Sequence, residues 1–192
     1  MGIAGFTLLE LVFASGLVAT VAAAAVPAIG RAVDNYKTVG AVRYVAARLQ
    51  RTRIDAVARG FNAAVRFTAT GTAYSFSVYA DGNGDGVRST DIDRGVDPLL
   101  FGPERLGEQF AGIEFGTLPG LPGVEGSSAP GADPIRIGSA RMASFTSLGT
   151  STSGSLYILG PHGAQFVVRL YGETGKTRIL RFNPRTRAWE PL

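Results

Sequence analysis

The chain has 192 residues, with 19 Lys and Arg against 15 Asp and Glu, and its formal net charge is +4. This length indicates one globular domain with at most one appended element. There is no cysteine, which excludes a disulfide framework and a thiolate site. The 26 glycines and 10 prolines favour short strands and loops over a helical bundle.

An apolar segment opens the chain. Residues 6–29 contain a single charged residue, Glu10, and as a helix they would be long enough to cross a hydrocarbon core of about 30 Å. A signal peptide is the alternative, and Ala22 to Ala25 would supply its cleavage site. That alternative needs a basic start, and residues 1–5 contain no Lys or Arg. We therefore expect a membrane-spanning helix, in which a carboxylate is costly.

The helical pattern continues past the apolar segment, over residues 30–60. Apolar side chains recur there at spacings of three or four, which predicts an amphipathic helix with one buried stripe. Gly60 is a natural C-terminal stop, and Pro27 is expected to kink the helix where its two halves meet. The predicted stripe consists of Tyr36, Val39, Val42, Val45, Leu49, Ala56 and Val57.

The stretch "GFTLLELVFASGLVATVAAAAVPAIG", residues 5–30, resembles the class III signal of type IV pilins and type II secretion pseudopilins. The resemblance implies that residues 1–5 are a prepilin leader. It also implies that prepilin peptidase cuts between Gly5 and Phe6 and methylates the new N-terminus on Phe6. Glu10 matches the family's acidic position and would pair with the Phe6 amine of an adjacent subunit in a filament. Pro27 matches the family's helix-loosening proline.

Two further stretches, "ARLQRTRIDAVARG" at 47–60 and residues 149–182, resemble the GspH/FimT group of that family. The resemblance implies a minor pseudopilin, a structural subunit of the type II secretion pseudopilus and not an enzyme. Its partners would be other pilin or pseudopilin subunits, prepilin peptidase and the inner membrane. The expected location is a single pass through the inner membrane, with the C-terminal domain in the periplasm.

Two other functions stay open at this point. One is a FimT-type minor pilin of a type IV pilus, with DNA as a further partner in natural transformation. The other is a single-pass membrane protein whose periplasmic domain binds a ligand.

After Gly60 the apolar pattern changes to period two, which predicts a β-rich globular domain over residues 61–192. Hairpins are expected where "GPHG" and "GETG" separate short apolar runs. The predicted fold class is α+β, with the long N-terminal helix packed on an antiparallel sheet, as in pilins. Residues 117–133 are rich in Pro and Gly and are predicted to form a long surface loop.

The run "DGNGDGVRSTDID", residues 81–93, resembles a calcium-binding loop. Asp81, Asn83 and Asp85 would supply oxygen ligands at alternate positions, with Gly86 as the turn glycine. The twelfth position holds Ile92, so Asp91 beside it is the candidate closing ligand. The alternative interpretation is a polar hairpin loop without a metal.

Basic residues are concentrated near the C-terminus. Together with Phe182 and Trp189 they would contact phosphates and stack on bases, so they are a candidate nucleic-acid site. The alternative is that they are solvated strand positions or contacts to an acidic neighbour. His162 is the single histidine and supports no metal cluster or catalytic triad. The candidate residues are Lys176, Arg178, Arg181, Arg185 and Arg187.

Overall fold

The computed structural model describes residue 5 and residues 7–192, without the side chains of Ala24, Pro27 and Ala28. The chain is mixed α+β, with an N-terminal helix packed on antiparallel sheets, which confirms the predicted class. Its helices are α1 (Leu8–Arg59), α2 (Ser89–Asp93) and α3 (Leu106–Gln109), with a 3-10 turn at Pro161–Gly163. Its strands are β1 (Ala63–Thr70), β2 (Ala73–Ala80), β3 (Leu99–Arg105), β4 (Glu114–Phe115), β5 (Ile135–Ile137), β6 (Met142–Phe145), β7 (Gly154–Leu159), β8 (Gln165–Leu170), β9 (Thr177–Asn183) and β10 (Ala188–Pro191).

Helix α1 is assigned as one element of 52 residues, about 78 Å long. A capping box between Thr7 and Glu10 begins it, and Gly60 ends it in the left-handed conformation with φ of 72°. The predicted stop at Gly60 is confirmed. Because the Pro27 side chain lies outside the described part of the chain, the kink expected there stays a prediction.

The expected membrane span is wrong for the part of the chain that the structure describes. A span needs about 20 consecutive, predominantly apolar residues. Within the described residues no helix is both long enough and apolar enough to cross a membrane. This finding overturns the single-pass inner-membrane location expected from residues 6–29.

The buried stripe of α1 differs from the predicted one at its edges. Val42, Val45, Leu49 and Ala56 are buried as expected, but Tyr36 is 77% exposed and Val57 is 47% exposed. Thr38 and Thr52 are buried in addition. Each of these threonines donates its hydroxyl to the backbone carbonyl four residues earlier, at 2.7 Å and 3.0 Å, so the helix tolerates burying a polar side chain there.

Two antiparallel sheets pack against the second half of α1. The first has the strand order β3-β2-β1-β6, and the second has the order β10-β9-β8-β7-β4 with β5 added beside β7. The main core contains α1 side chains such as Leu49 together with Phe67 of the first sheet and Phe166 of the second. The hairpins predicted at "GPHG" and "GETG" are present between β7 and β8 and between β8 and β9.

Residues 117–133 form no helix or strand, as predicted, but they are more than a surface loop. Leu121 and Val124 are buried against the face of the second sheet that points away from α1, which we call the outer face. The indole N–H of Trp189 donates to the carbonyl of Pro122 at 3.1 Å and ties this segment to β10. The segment thereby closes a second hydrophobic core, which also contains Tyr157, Val167 and Leu180.

Candidate functional site

The start of α1 holds Glu10 in a defined geometry. Its carboxylate accepts hydrogen bonds from the backbone N–H and the hydroxyl of Thr7, each at 3.0 Å, and its own N–H donates to the Thr7 hydroxyl at 3.2 Å. The Thr7 backbone N–H, followed by its hydroxyl, lowers the pKa of the Glu10 carboxyl, which keeps it ionised. Gly5 is exposed, whereas Phe6 lies outside the described residues.

The first half of α1 exposes large apolar side chains that the globular part does not cover. Leu8 is 83% exposed and Phe13 is 75% exposed, and both belong to a longer set of such residues. An exposed apolar surface of this extent is typical of a site of association. The other exposed members of the set are Leu9, Leu11, Val12, Leu17, Val18, Val21, Val26 and Ile29.

In the predicted calcium loop, Asp81 organises the backbone. One of its carboxylate oxygens accepts from the N–H of Asn83 and of Gly84, at 3.2 Å and 2.7 Å. The other accepts from the Gly86 N–H and from the Asn62 side-chain amide, both at 2.8 Å. Donors of the loop and of Asn62 therefore already bond to both carboxylate oxygens of Asp81, the first predicted ligand.

The remaining acids of this loop are dispersed. Asp85 pairs with Arg88 at 2.9 Å, and Asp91 is buried in α2. Buried Asp97, which the sequence pattern did not single out, accepts from the backbone N–H of Gly82 and of Arg88. Across the described chain, no group of three or more His, Cys, Asp or Glu side chains is arranged to hold a metal ion. Calcium binding at 81–93 stays a prediction.

We expect Asp81→Asn to flatten the acid limb of the pH dependence of stability. Burial raises the pKa of the Asp81 carboxyl, but the hydrogen bonds from Asn62 and from the backbone N–H groups of Gly86, Gly84 and Asn83 outweigh it, so the pKa is lowered on folding. Such a group contributes stability above its unfolded pKa of about 3.9 and loses that contribution as the pH falls through the folded value.

The measurement is the urea midpoint of the wild type and the variant between pH 7 and pH 2. The midpoint of the wild type should fall more steeply below about pH 4 than that of Asp81→Asn. Parallel curves for the two proteins would contradict the assignment. Asp93→Asn is a matched control, because the exposed Asp93 pairs only with Arg66 in the described part of the chain, at 3.0 Å.

The candidate nucleic-acid residues do not form one surface. Register places Arg178 opposite Arg169 and Arg181 opposite Phe166, so Arg178 lies on the outer face and Arg181 on the face towards α1. Arg187 donates to the carbonyl of Gly120 at 3.1 Å.

Lys176 and Arg185 are exposed in the turns before and after β9. DNA contact by these five residues stays a prediction. Arg178 and Arg181 lie on opposite faces of β9, and Lys176 and Arg185 lie at its opposite ends.

The sequence pattern did not single out Glu125, the acid that neutralises Arg178. Glu125 lies in the loop that covers the second core, forms an ion pair with Arg178 at 2.9 Å and accepts a hydrogen bond from the hydroxyl of Tyr171. Burial, followed by the hydrogen bond to Glu125, raises the pKa of the Tyr171 phenol. Local pattern carries no signal for these contacts, because Glu125 and Arg178 are 53 residues apart.

His162 lies in the turn predicted for it, and its Nε2 is 3.2 Å from the Asp34 carboxylate of α1. Both side chains remain accessible to water, so the pair is a surface contact between the 3-10 turn and the helix.

Together these features define a mixed α+β protein with a long, partly unpartnered N-terminal helix. The chain matches no protein-family model, no curated protein and no solved structure.

Proposed function

We propose that the chain is a minor pseudopilin, a structural subunit of the filament of a type II secretion system. The observation that carries the proposal is the division of α1. Its second half is buried in the globular core, whereas its first half exposes an apolar surface. A helix of about 78 Å extends well beyond a domain of this size, so its first half needs partners outside the chain.

Other pilin or pseudopilin subunits are the proposed partners of that surface. In a filament, copies of the exposed apolar helix would pack on one another and remove it from water, which is favourable by about 25 cal/mol per Å². The globular part would then face outwards and carry the specific contacts of this subunit.

Glu10 supports the proposal through its placement. Its carboxylate is ionised and exposed at the start of the apolar half, where a neighbouring helix would meet it. In the isolated chain it caps α1 through Thr7. In the proposed filament it would instead pair with the N-terminal amine of Phe6 on an adjacent subunit, a charge-assisted contact that fixes the register of the two helices.

Processing by prepilin peptidase tests the proposal. Intact-mass spectrometry of the protein from cells that contain the peptidase should show the loss of residues 1–5 and one added methyl group on Phe6. The protein from cells without the peptidase should keep its full mass. Gly5→Leu should block the cut, while Gly2→Leu, a matched glycine change in the same segment, should leave it intact. An unchanged mass in both strains would refute the proposal.

A further inference from the structure

An open cavity of about 380 Å³ lies between Pro122, Gly123 and Glu125 on one side and strands β9 and β10 on the other. Apolar Leu180 and Trp189 line it together with charged Arg178, Arg187 and Glu125. Leu180 is buried and Trp189 is half-buried, whereas both arginines are exposed. The cavity therefore combines apolar surface with guanidinium groups, a combination that suits an anion carried on an apolar segment.

The cavity adjoins a row of arginines that crosses the outer face of the second sheet. Register places Arg136 of β5 opposite Ser155 of β7, Ser155 opposite Arg169 of β8, and Arg169 opposite Arg178 of β9. Like charges at neighbouring cross-strand positions repel each other. Arg169 and Arg178 are such a pair, so an anion placed over them relieves their mutual repulsion.

Glu125 supplies that anion in the isolated chain. The Tyr171 hydroxyl lies 2.8 Å and 2.7 Å from its two carboxylate oxygens, and Arg178 donates to one of them at 2.9 Å. Arg169 donates from Nη1 to the Ser155 hydroxyl at 3.0 Å, but its Nε is 4.0 Å from the Glu125 carboxylate. That Nε is buried and has no hydrogen-bond partner among the described residues, so the site retains a donor that Glu125 does not use.

The backbone that delivers Glu125 is strained. Its φ is 48°, in the left-handed region that a residue other than glycine adopts at a cost. It lies between Gly123 and Gly126 in a segment of high Pro and Gly content. A partner that supplies its own carboxylate would let this segment relax, so Glu125 is suited to being displaced.

We propose that this outer face is a recognition site for an acidic, partly apolar segment of a protein partner, and that Glu125 occupies the site until the partner displaces it. The apolar surface that Leu180 and Trp189 add beside the arginines favours a peptide carboxylate over nucleic acid. Arg181 lies on the opposite face of β9 from Arg178, so the arginine row is not extended along this strand by the further basic side chains that a phosphate backbone would use. The inference goes beyond the filament assignment and does not depend on it.

Trp189 is the single tryptophan of the chain and lines the cavity, so its fluorescence reports occupancy directly. The probe is a six-residue peptide of alternating leucine and glutamate, blocked at both ends, titrated into the full chain. The control peptide replaces each glutamate with glutamine. We expect a saturable change with the first peptide and none with the second.

Three variants distinguish a binding site for a partner from a purely structural contact of Glu125. Glu125→Gln removes the internal competitor and should tighten binding about tenfold, because a larger fraction of the protein is then competent to bind. Arg178→Gln should weaken binding by about tenfold or more. Arg185→Gln, the same change at an exposed turn position outside the cavity, should leave binding unchanged.

The proposal fails if Glu125→Gln does not tighten binding or if the glutamine peptide binds equally well. It also fails if a short single-stranded oligonucleotide displaces the peptide and loses affinity in Arg178→Gln, since the site would then recognise phosphate. If Arg178→Gln does not fold, Arg187→Gln decides, because Arg187 lines the cavity and its hydrogen bond goes to the Gly120 carbonyl and not to Glu125, so its loss should weaken binding severalfold. None of these measurements depends on peptidase processing, so they can fail while the proposed function holds.

Discussion

Replacing Glu10 with leucine should reduce incorporation of the subunit into the filament by at least about tenfold, because the change leaves the amine of the adjacent subunit without its anion at a contact that assembly would bury. The measurement is the fraction of the protein that co-sediments with sheared filaments. This prediction rests on the proposed function, in which Glu10 pairs with Phe6 of a neighbour.

Glu10→Gln is the decisive control, because Glu10 has a second role in the isolated chain. It accepts from Thr7 in a capping box that begins α1, and glutamine at the same position preserves this box. Glu10→Gln should therefore keep the helical content of the wild type, measured by far-UV circular dichroism, yet fail to incorporate as Glu10→Leu does. Incorporation of Glu10→Gln at the wild-type level would show that the cap and not the charge is required.

The long helix was predictable because its signals are local. Spacings of three and four among apolar residues indicate a helix, and Gly60 supplies a left-handed stop whatever the fold around it. The same reasoning misplaced the edges of the buried stripe. Burial of Thr38 and Thr52 depends on where the sheets pack. A hydropathy scale treats threonine as polar and does not include the hydrogen bond that its hydroxyl donates to its own helix.

The outer-face site was not predictable, because its parts come together only through long-range contacts. The sequence predicts one cluster from the basic residues near the C-terminus, because they are close together along the chain. The alternation of β9 sends Arg178 and Arg181 to opposite faces. Glu125 lies in a segment that the sequence marked only as a loop. That segment is held on the sheet by Trp189, whose indole N–H donates to the carbonyl of Pro122, 67 residues earlier in the chain.

The membrane span expected from residues 6–29 is the part of the sequence-based prediction that the structure contradicts. A run of apolar residues at the start of the chain predicts a span on length and hydropathy. The described residues contain no helix that meets both requirements. The exposed apolar surface itself remains, and the proposed function gives it protein partners, which the resemblance to filament subunits already implied.

The two cores of the globular part should respond differently to truncation. Phe166 of β8 is fully buried in the main core, and Leu180 of β9 belongs to the second core beside residues 117–133. We expect Phe166→Ala to lower the free energy of unfolding by about 3–5 kcal/mol and Leu180→Ala by about 2–5 kcal/mol. Urea denaturation of the full chain measures both values.

Acrylamide quenching of Trp189 in the native state separates the two effects. Leu180→Ala opens a void beside the indole, and the segment over it gains a locally open state, so quenching should rise clearly above the wild type. Phe166→Ala leaves the second core intact, and its native-state quenching should match the wild type although its loss of stability is of similar size. If quenching rose equally in both variants, the two cores would open as a single unit. Residues 117–133 would then not open independently, and displacement of Glu125 from the outer face would require the whole domain to unfold partially.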